Sequence, residues 1–559
     1  MNSFDVLDIY FKDHKYPFTG HHIDSFRKLI KTYIPEIIKS YNPITMIKYD
    51  DLNNIRMKTD VYIGGKHGTE IFIDRPITYE DGDAKLITPN DTRLKNLTYE
   101  SNMYANILVE ITDVDNNIIT KTFKRVAFGS IPIMLHSDIC MLNSQGSDVL
   151  RKLGECIYDT GGYFIIDGKE KVIISQERIT TNRLFISVLK DDDKYSHKAI
   201  IRCTAESGEN MLSPKTIQFM VVKNNQDMET NMKSMGSIVV SLPSINANIP
   251  LVLFFRALGI ESDKDIYETI FGIDNSEVET LFFQSFIRPS IANNDDIYTQ
   301  DKAIEYLKML VKYQSIDQVK YILTMDVFPN IPNFKNKGKY LGYLVKQIFN
   351  TVKDISPPSD RDSYVYKRVD ISGYLLAELF HESYAKLSKF IRDKMDSMYY
   401  YGSWNQKQDY NDFITEQNIY KIIPHLLIAE TFTKSLKGMW GIANSEDPEL
   451  GKVQDLSRIS YIGFLSHLRR VNMPLDRSIK ITSPHKLHCN QYGIMCPFET
   501  PDGASVGYLK NLAFLTKIAA GTGIENIKQC LLDLDVIPIE DYMSPYDKNL
   551  GKIFINGSL

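Results

Sequence analysis

PHKLHCNQYGIMCPFETPDGASVGYLKNLAFL, residues 484–515, is the stretch on which the reading of this chain turns. It holds two His, two Cys, three Gly, three Pro and the acidic residues Glu499 and Asp502, with no sustained helical or strand period. Ordering such a segment costs backbone entropy, so a chain either leaves it loose or builds it into a rigid functional loop. Its aromatic and aliphatic content argues for the rigid case.

Around it the charge balance changes. From Asp455 to Lys517 there are eight Lys/Arg against four acids, a local +4 on a chain whose formal total is −5. A polyanion needs such a local patch when the whole molecule has no basic field. Arg469 and Arg470 close the helical run FLSHLRR, where cations stabilise a helix C-terminus in their own right. Their functional reading is phosphate contact through planar guanidinium forks, supported by Arg477, Lys480 and Lys486 in the irregular segment that follows.

His485, His488, Cys489 and Cys496 present metal-ligand chemistry, but Cys489 directly beside His488 is awkward for a tetrahedron and no second short-spaced pair exists. Packing is the better reading of these cysteines, and a Cys–His nucleophile has no further support. Glu499 lies between two Pro-anchored turns, Cys496-Pro497 and Thr500-Pro501. From composition alone it bonds backbone N–H groups, with acceptance from base or ribose groups as the sharper alternative.

The rest of the chain sets the scale. At 559 residues, 43% apolar and 24% charged, it falls among ordinary globular proteins of several domains. Six scattered Cys without a CxxC fit neither a disulfide framework nor a zinc ribbon, which points to a reducing compartment. The start, MNSFDVLDIYFKDHKYPF, lacks a basic n-region before an apolar core, and no run of 18 apolar residues occurs, so neither secretion nor membrane spanning is expected.

Read in order, Ile23, Phe26, Ile30, Tyr33 and Ile37 predict an amphipathic helix over 20–43. NILVEITDVDNNIITKTFKRVAF predicts a hairpin turning at Asp115-Asn116-Asn117; Asp113, Asp115 and Asn117 lack the Gly and Glu of a calcium loop. Tyr163–Ile166 and Val172–Ile174 read as paired strands around an Asp167-Gly168 turn, and neither GGYF nor GGKHG opens a phosphate loop. The charge run Lys190–Lys194 reads as a solvated turn, with magnesium binding by its three Asp as the sharper alternative. Strand-like pieces (RLFISVL, KAIIRC, TIQFMVV, SIVVSLP) then precede helical ones (PLVLFFRALGI, AIEYLKMLVKY, KYLGYLVKQIFNTV), an α+β order. SPPSDRDSYVYKRV (356–369) reads as a crossing between domains, helical patterns run over 371–398 and 417–440, and GIANSEDPELG (441–451) is a polar loop.

CPFETPDGASVGYLKNLAF resembles a signature of the second-largest subunit of multisubunit DNA-dependent RNA polymerases, the eukaryotic, archaeal and viral counterparts of bacterial β. LSRISYIGFLSHLRRVNMPLD, PPSDRDSYVYKRVDISGYLLAELF, TGGYFIIDGKEKVIISQER, IPLVLFFRALGIESDKDI and KIFINGSL resemble further segments of that family, in its order. The resemblance implies an α+β multidomain chain: a protrusion over 1–190 and 367–437, a lobe over 191–366, a fork over 438–516 and the start of an external domain over 517–559. In those terms 441–451 and 471–482 are the two fork loops.

The resemblance also implies a role in DNA-templated RNA synthesis by two-metal phosphoryl transfer, with Mg2+ on the largest subunit and neither cofactor, metal nor catalytic residue on this portion. Its partners would be the largest and other polymerase subunits, template DNA and the RNA–DNA hybrid, with no membrane. By motif match the neighbours of nucleic acid and active centre are Arg469, Arg470, Arg477, Lys480, Lys486, Gln491, Glu499 and Lys510, with Pro497–Pro501 forming a pocket wall. Three departures stand out: Asp502 replaces a Glu, Tyr508 a Leu and His485 an Arg of the family pattern. The chain stops inside a FINGxW motif, so a fragment, a split gene product or a truncated chain is expected, unable to polymerise RNA alone. A non-catalytic DNA-binding or assembly module of the same fold is the alternative. Location would be the nucleus, or host cytoplasm or virion if the Ile-, Lys-, Asn- and Tyr-rich composition reflects a large DNA virus.

Overall fold

The computed structural model describes residues 2–49, 55–80, 83–113, 117–189, 194–205, 214–223, 237–272, 280, 287, 290, 297–312, 314–401, 413–441, 451–475, 481–519, 524–538 and 551–557. The Asp115-Asn116 turn, most of the 190–194 charge run, most of the 441–451 loop, and Arg477 and Lys480 lie outside the described residues. The chain is α+β and divides into two compact units, one drawing on Met1–Arg178 and Lys367–Ala520, the other on Ile179–Gly208, Leu212–Tyr366 and Gly521–Leu559.

In the first unit the helical pattern near the N-terminus forms as Gly20–Lys28 and Ile34–Tyr41, joined by a π-helical turn, Leu29–Tyr33. That wider turn rotates the apolar face. Ile23, Phe26 and Ile37 are buried as their spacing requires, but Leu29 and Ile34 take the central places expected for Ile30 and Tyr33, which are only partly buried. The helix Ser372–Tyr401 packs against this element, and Gly373 marks a close approach. A Cβ at Gly373 would stand 2.1 Å from the Ser25 carbonyl oxygen, while the Gly373 N–H donates to Ser25 Oγ at 3.1 Å. The pattern over 417–440 does not make one helix. It breaks into Ile419–Ile422 and Leu426–Leu436 at Pro424, which has no N–H to give.

The long hairpin Glu100–Thr112 with Ile118–Pro132 is the spine of a five-stranded sheet, its strand 100–112 also pairing with Ile55–Ile63 and Ile71–Ile73. Met103, Ala105, Ile107, Val109 and Ile111 alternate inward and share one core with the helices. The turn Asp167-Gly168 has both residues at positive φ, 48° and 74°, and joins Phe164–Ile166 to Lys169–Ile173. Val453–Asp455 completes that three-stranded sheet. In a further sheet of four strands, Lys367–Asp370, Ser175–Ile179, Arg470–Asn472 and Leu509–Asn511 lie side by side in that order.

The second unit begins with an antiparallel meander, Leu184–Val188, Tyr195–Cys203, Lys215–Val222, Ile238–Ser241 and Ile249–Pro250. Ile217, Phe219 and Val221 point into a core completed by the helices Leu251–Ala257, Asp263–Phe271, Gln300–Leu310 and Phe334–Val352. Lys337 is fully buried there, donating to the carbonyls of Leu323, Thr324 and Val327 at 2.8, 2.8 and 2.7 Å. Burial pulls its pKa down to about 8, and the three carbonyls supply the acceptors its protonated form needs.

Candidate nucleic-acid interface

The four-stranded sheet of the first unit gathers segments that are far apart in the chain. Ser175 and Gln176 pair in parallel with Val471 and Asn472, and Arg470–Asn472 pairs antiparallel with Leu509–Asn511. Beneath it sits one charged group. Glu177 is buried between two ammonium groups, Lys510 Nζ at 2.8 Å from Oε2 and Lys367 Nζ at 2.8 Å from Oε1. A carboxylate at this depth is tolerated because it is paired on both oxygens, and the arrangement ties three of the four strands together. Lys510 thus spends its charge inside the fold.

The helix Tyr461–Leu468 leads into the sheet, and each residue of its LSHLRR end has a separate task. Ser460 caps the helix, its hydroxyl accepting from the Gly463 N–H at 3.0 Å. Ser466 Oγ donates to the Glu499 carboxylate. His467 is buried, Nδ1 accepting from the Ser457 N–H at 3.1 Å while Nε2 faces Gln454 Oε1 at 3.0 Å. Burial, and then the neighbouring Arg470 cation, bring its pKa down to about 4. The Leu468 carbonyl accepts from Nε2 of buried His22 at 2.8 Å, so the other nitrogen, Nδ1, is the acceptor for Ser372 Oγ at 2.9 Å. Burial holds His22 near 4 as well, with the Leu468 carbonyl opposing and Arg469 adding to the shift.

Arg469 is buried. Its guanidinium donates to the Phe18 carbonyl at 3.1 Å and to the Ala513 and Phe514 carbonyls at 2.7 and 3.3 Å, and rests over the Phe18 ring. Burial lowers its pKa, with Tyr10 and Glu499 opposing. It joins the N-terminal segment to the end of KNLAF and has its forks occupied by carbonyls. Arg470, one residue on, is half exposed and opposite Asn511.

The irregular stretch itself is built from short 3₁₀ turns, Ser483–His485, Cys489–Gln491 and Gly503–Ser505, and the strand Leu509–Asn511. Gln491 is buried, its carbonyl accepting from the Ile494 and Met495 N–H groups, both at 3.0 Å. Lys486 is exposed just past its turn. Thr500 pins the loop: its Oγ1 donates to the Leu509 carbonyl at 2.9 Å and accepts from the Gly507 N–H at 3.0 Å. Asn511 Nδ2 reaches the Glu499 carbonyl at 3.4 Å. Between these anchors Glu499 is exposed, and beside it Phe498 is 90% exposed. Tyr492 and Ile462 are likewise exposed. Two of the three departures, His485 and Tyr508, touch each other, ring centroids 5.1 Å apart.

Gly507 illustrates how tightly the loop is set. Its φ is +76°, and a Cβ there would lie 2.0 Å from the Pro484 carbonyl oxygen. Gly503 has φ +73° but open space around it. Gly507→Ala is expected to destabilise the first unit by about 1–3 kcal/mol or more and Gly503→Ala by less, because only the first combines left-handed strain with a backbone clash. Equal shifts in thermal midpoint for the two variants would contradict this.

Several contributors were not singled out from sequence: Ser466, His467, His22, Glu177 and Lys367, and a network around Tyr163. There Arg93 meets Glu155 at 2.9 Å and Glu170 at 2.9 Å, while Arg458 meets Glu170 at 2.7 Å and Asp159 at 3.0 Å. Both guanidinium groups also donate to Tyr163 OH at 2.9 Å. The available signal was chemical: a buried strand carrying a charged residue, the Glu of QER, requires a partner of opposite sign. Among the described residues no group of three or more His, Cys, Asp or Glu is placed to hold a metal, and no helix is long and apolar enough to cross a membrane.

Residues 17–418 match the family model described as RNA polymerase beta subunit, and residues 454–518 match RNA polymerase Rpb2, domain 3. Among curated relatives, DNA-directed RNA polymerase II subunit RPB2 of Encephalitozoon cuniculi is 31% identical over 96% of this chain and 45% of its own length. DNA-directed RNA polymerase II subunit 2 of Arabidopsis thaliana is 31% identical over 100% of the chain and 46% of its own length. DNA-directed RNA polymerase subunit Rpo2 of Saccharolobus solfataricus is 28% identical over 99% and 46%. The chain belongs to the RNA polymerase beta subunit family, and its motifs are those of the N-terminal half of a second-largest subunit. It spans about half the length of these relatives.

Proposed function

We propose that this chain serves DNA-templated RNA synthesis as the N-terminal part of the second-largest subunit of a DNA-directed RNA polymerase, helping to form the DNA cleft and the wall of the active centre. The observation that carries the reading is the joining of the QER, KRVD, LSHLRR and KNLAF segments in one sheet, from which the loop bearing exposed Glu499 and Phe498 projects. A rigid scaffold holding an exposed acidic and aromatic loop suits contact with nucleic acid better than a purely structural turn. In this reading 1–190 and 367–437 are the protrusion, 191–366 the lobe, 438–516 the fork and 517–559 the start of an external domain. The division into a first unit that draws on Met1–Arg178 and again on Lys367–Ala520, and a second that takes most of the sequence between them, supports the split protrusion and the lobe of that assignment.

The partners are the largest subunit, which supplies Mg2+, the other polymerase subunits, template DNA and the RNA–DNA hybrid. The relatives named for RNA polymerase II favour a nuclear location. Arg470 and Lys486, half exposed and exposed, are better placed for phosphate than Arg469 and Lys510, which work inside the fold. Glu499 is the group nearest to the chemistry, and Gln491 supports its loop. In a polymerase reconstituted with the remaining family segments and the largest subunit, Glu499→Ala is expected to change elongation rate or pausing several-fold at unchanged thermal stability. Unchanged elongation would refute the role of Glu499. Absence of any templated RNA synthesis by the wild-type assembly, with DNA binding retained, would instead favour the non-catalytic module.

A further inference from the structure

The Glu499 carboxylate is exposed, yet the structure gives it a defined direction. Its backbone is fixed on both sides, before it by the Cys496 N–H on the Asn511 carbonyl at 2.8 Å, and after it by Asn511 reaching the Glu499 carbonyl and Thr500 bonding the Leu509 carbonyl. An exposed Glu on a fixed backbone still rotates about its own side-chain bonds, since solvent satisfies any orientation equally. Here one carboxylate oxygen, Oε1, accepts from Ser466 Oγ, and no salt bridge to Glu499 is formed among the described residues. Ser466 has one hydroxyl proton. Its other contact, Asn511 Oδ1 at 3.3 Å, is the longer, so the proton belongs to the carboxylate.

Ser466 is itself rigidly held. It lies in the last turn of the helix Tyr461–Leu468, whose end is locked by the His467 ring between Ser457 and Gln454, by His22 on the Leu468 carbonyl and by Arg469 on three carbonyls. Ile462, one helical turn earlier on the same face, is 75% exposed, so the Ser466 side of the helix is open. We infer that Ser466 is a positioning residue: it takes up Oε1 of Glu499 and leaves Oε2 as the acceptor presented to nucleic acid, so that the LSHLRR helix sets the geometry of the ETPDG loop's one functional carboxylate. This rests on the reading of Glu499 above as a group that touches nucleic acid in the polymerase.

Two measurements test it separately from that reading. On the full chain alone, carbodiimide labelling of carboxylates followed by mass spectrometry reads the accessibility of Glu499. Ser466→Ala is expected to raise Glu499 labelling at least about twofold over wild type, with Ser466→Thr, which keeps a hydroxyl, close to wild type and with Asp502 labelling unchanged. Unchanged Glu499 labelling in Ser466→Ala overturns the positioning role, whether or not the chain acts in transcription. In the assembled polymerase, Ser466→Ala is expected to move elongation in the same direction as Glu499→Ala, and the double variant to go no further than Glu499→Ala. An effect of Ser466→Ala that persists in full in the Glu499→Ala background overturns it as well. Altered labelling together with normal elongation in both single variants would retain the geometry and refute the role of Glu499 in the reaction.

Discussion

Glu177→Gln is expected to cost about 3–5 kcal/mol, the range found when one partner of a buried ion pair is removed. The substitution keeps the shape of the side chain and removes its charge, leaving Lys510 and Lys367 facing each other, with side chains only 8% and 10% exposed. Two ammonium groups that shared one carboxylate then repel each other at that depth, so the strands carrying them must part or admit water. Lys510→Met gives the contrast. It leaves the Glu177–Lys367 pair intact, 2.8 Å apart, and replaces a buried ammonium stem by an apolar one of similar length, so it should cost much less. Urea midpoints for the two variants decide the matter; a Lys510→Met loss equal to that of Glu177→Gln would show that the group acts by packing rather than by charge.

Acid is the second strong perturbation. His22 and His467 are both held near 4, whereas an exposed histidine titrates near 6.5. The unfolded chain therefore binds protons that the folded one refuses. Their contribution is fully present above about 6.5 and is lost as the pH falls through 4, by about 3 kcal/mol for each ring. Both rings meet at the same place, one on the Leu468 carbonyl and the other one residue before it, so acid loosens the LSHLRR end first. Stability measured in urea from pH 7 down to 4 should fall more steeply in wild type than in His22→Gln or His467→Gln, by about one proton each. Parallel slopes would remove these two residues as the cause.

Much of the architecture was legible because it rests on local pattern. The hairpin strands of 100–132, the Asp167-Gly168 turn, and the strands-then-helices order of 184–352 follow from alternation, turn chemistry and helical spacing. What escaped involved partners distant in sequence. No periodicity distinguishes Lys367–Asp370 as a strand, since its existence depends on Ser175–Ile179 beside it. The π-helical turn at Leu29–Tyr33 moved the buried face by one residue for a tertiary reason, the packing against the helix Ser372–Tyr401.

The site was legible as a place and less so as a mechanism. Glu499 and the positive cluster could be marked from composition and resemblance. That Arg469 would be consumed by carbonyls, and that Ser466 would hold Glu499, depends on which groups meet across sequence separations of 451 and 33. The adjacent guanidinium groups of Arg469 and Arg470 look equivalent in sequence, yet one is buried and the other half exposed. Alternation along the strand Arg470–Asn472 separates them: Val471 points inward, and the helix end turns Arg469 into the body of the unit.

The four-stranded sheet also sets an order of events during synthesis. Ser175 pairs with Val471, a partner made 296 residues later, and Val471 pairs in turn with Lys510. At about 5–20 residues per second, roughly 15–60 s separate the appearance of those first two strands from the ribosome. The meander and helices of residues 184–352 lie wholly within that interval and contact one another, so they can mature first. Contacts of such separation slow folding, and the waiting strand, with buried Ser175, Gln176 and Glu177, presents an open backbone edge meanwhile, its carboxylate served by Lys367 alone once that residue has been made. The nascent chain should therefore depend on chaperone holding until residue 511 has emerged, and a release assay on chains stopped before and after that point would show the dependence end.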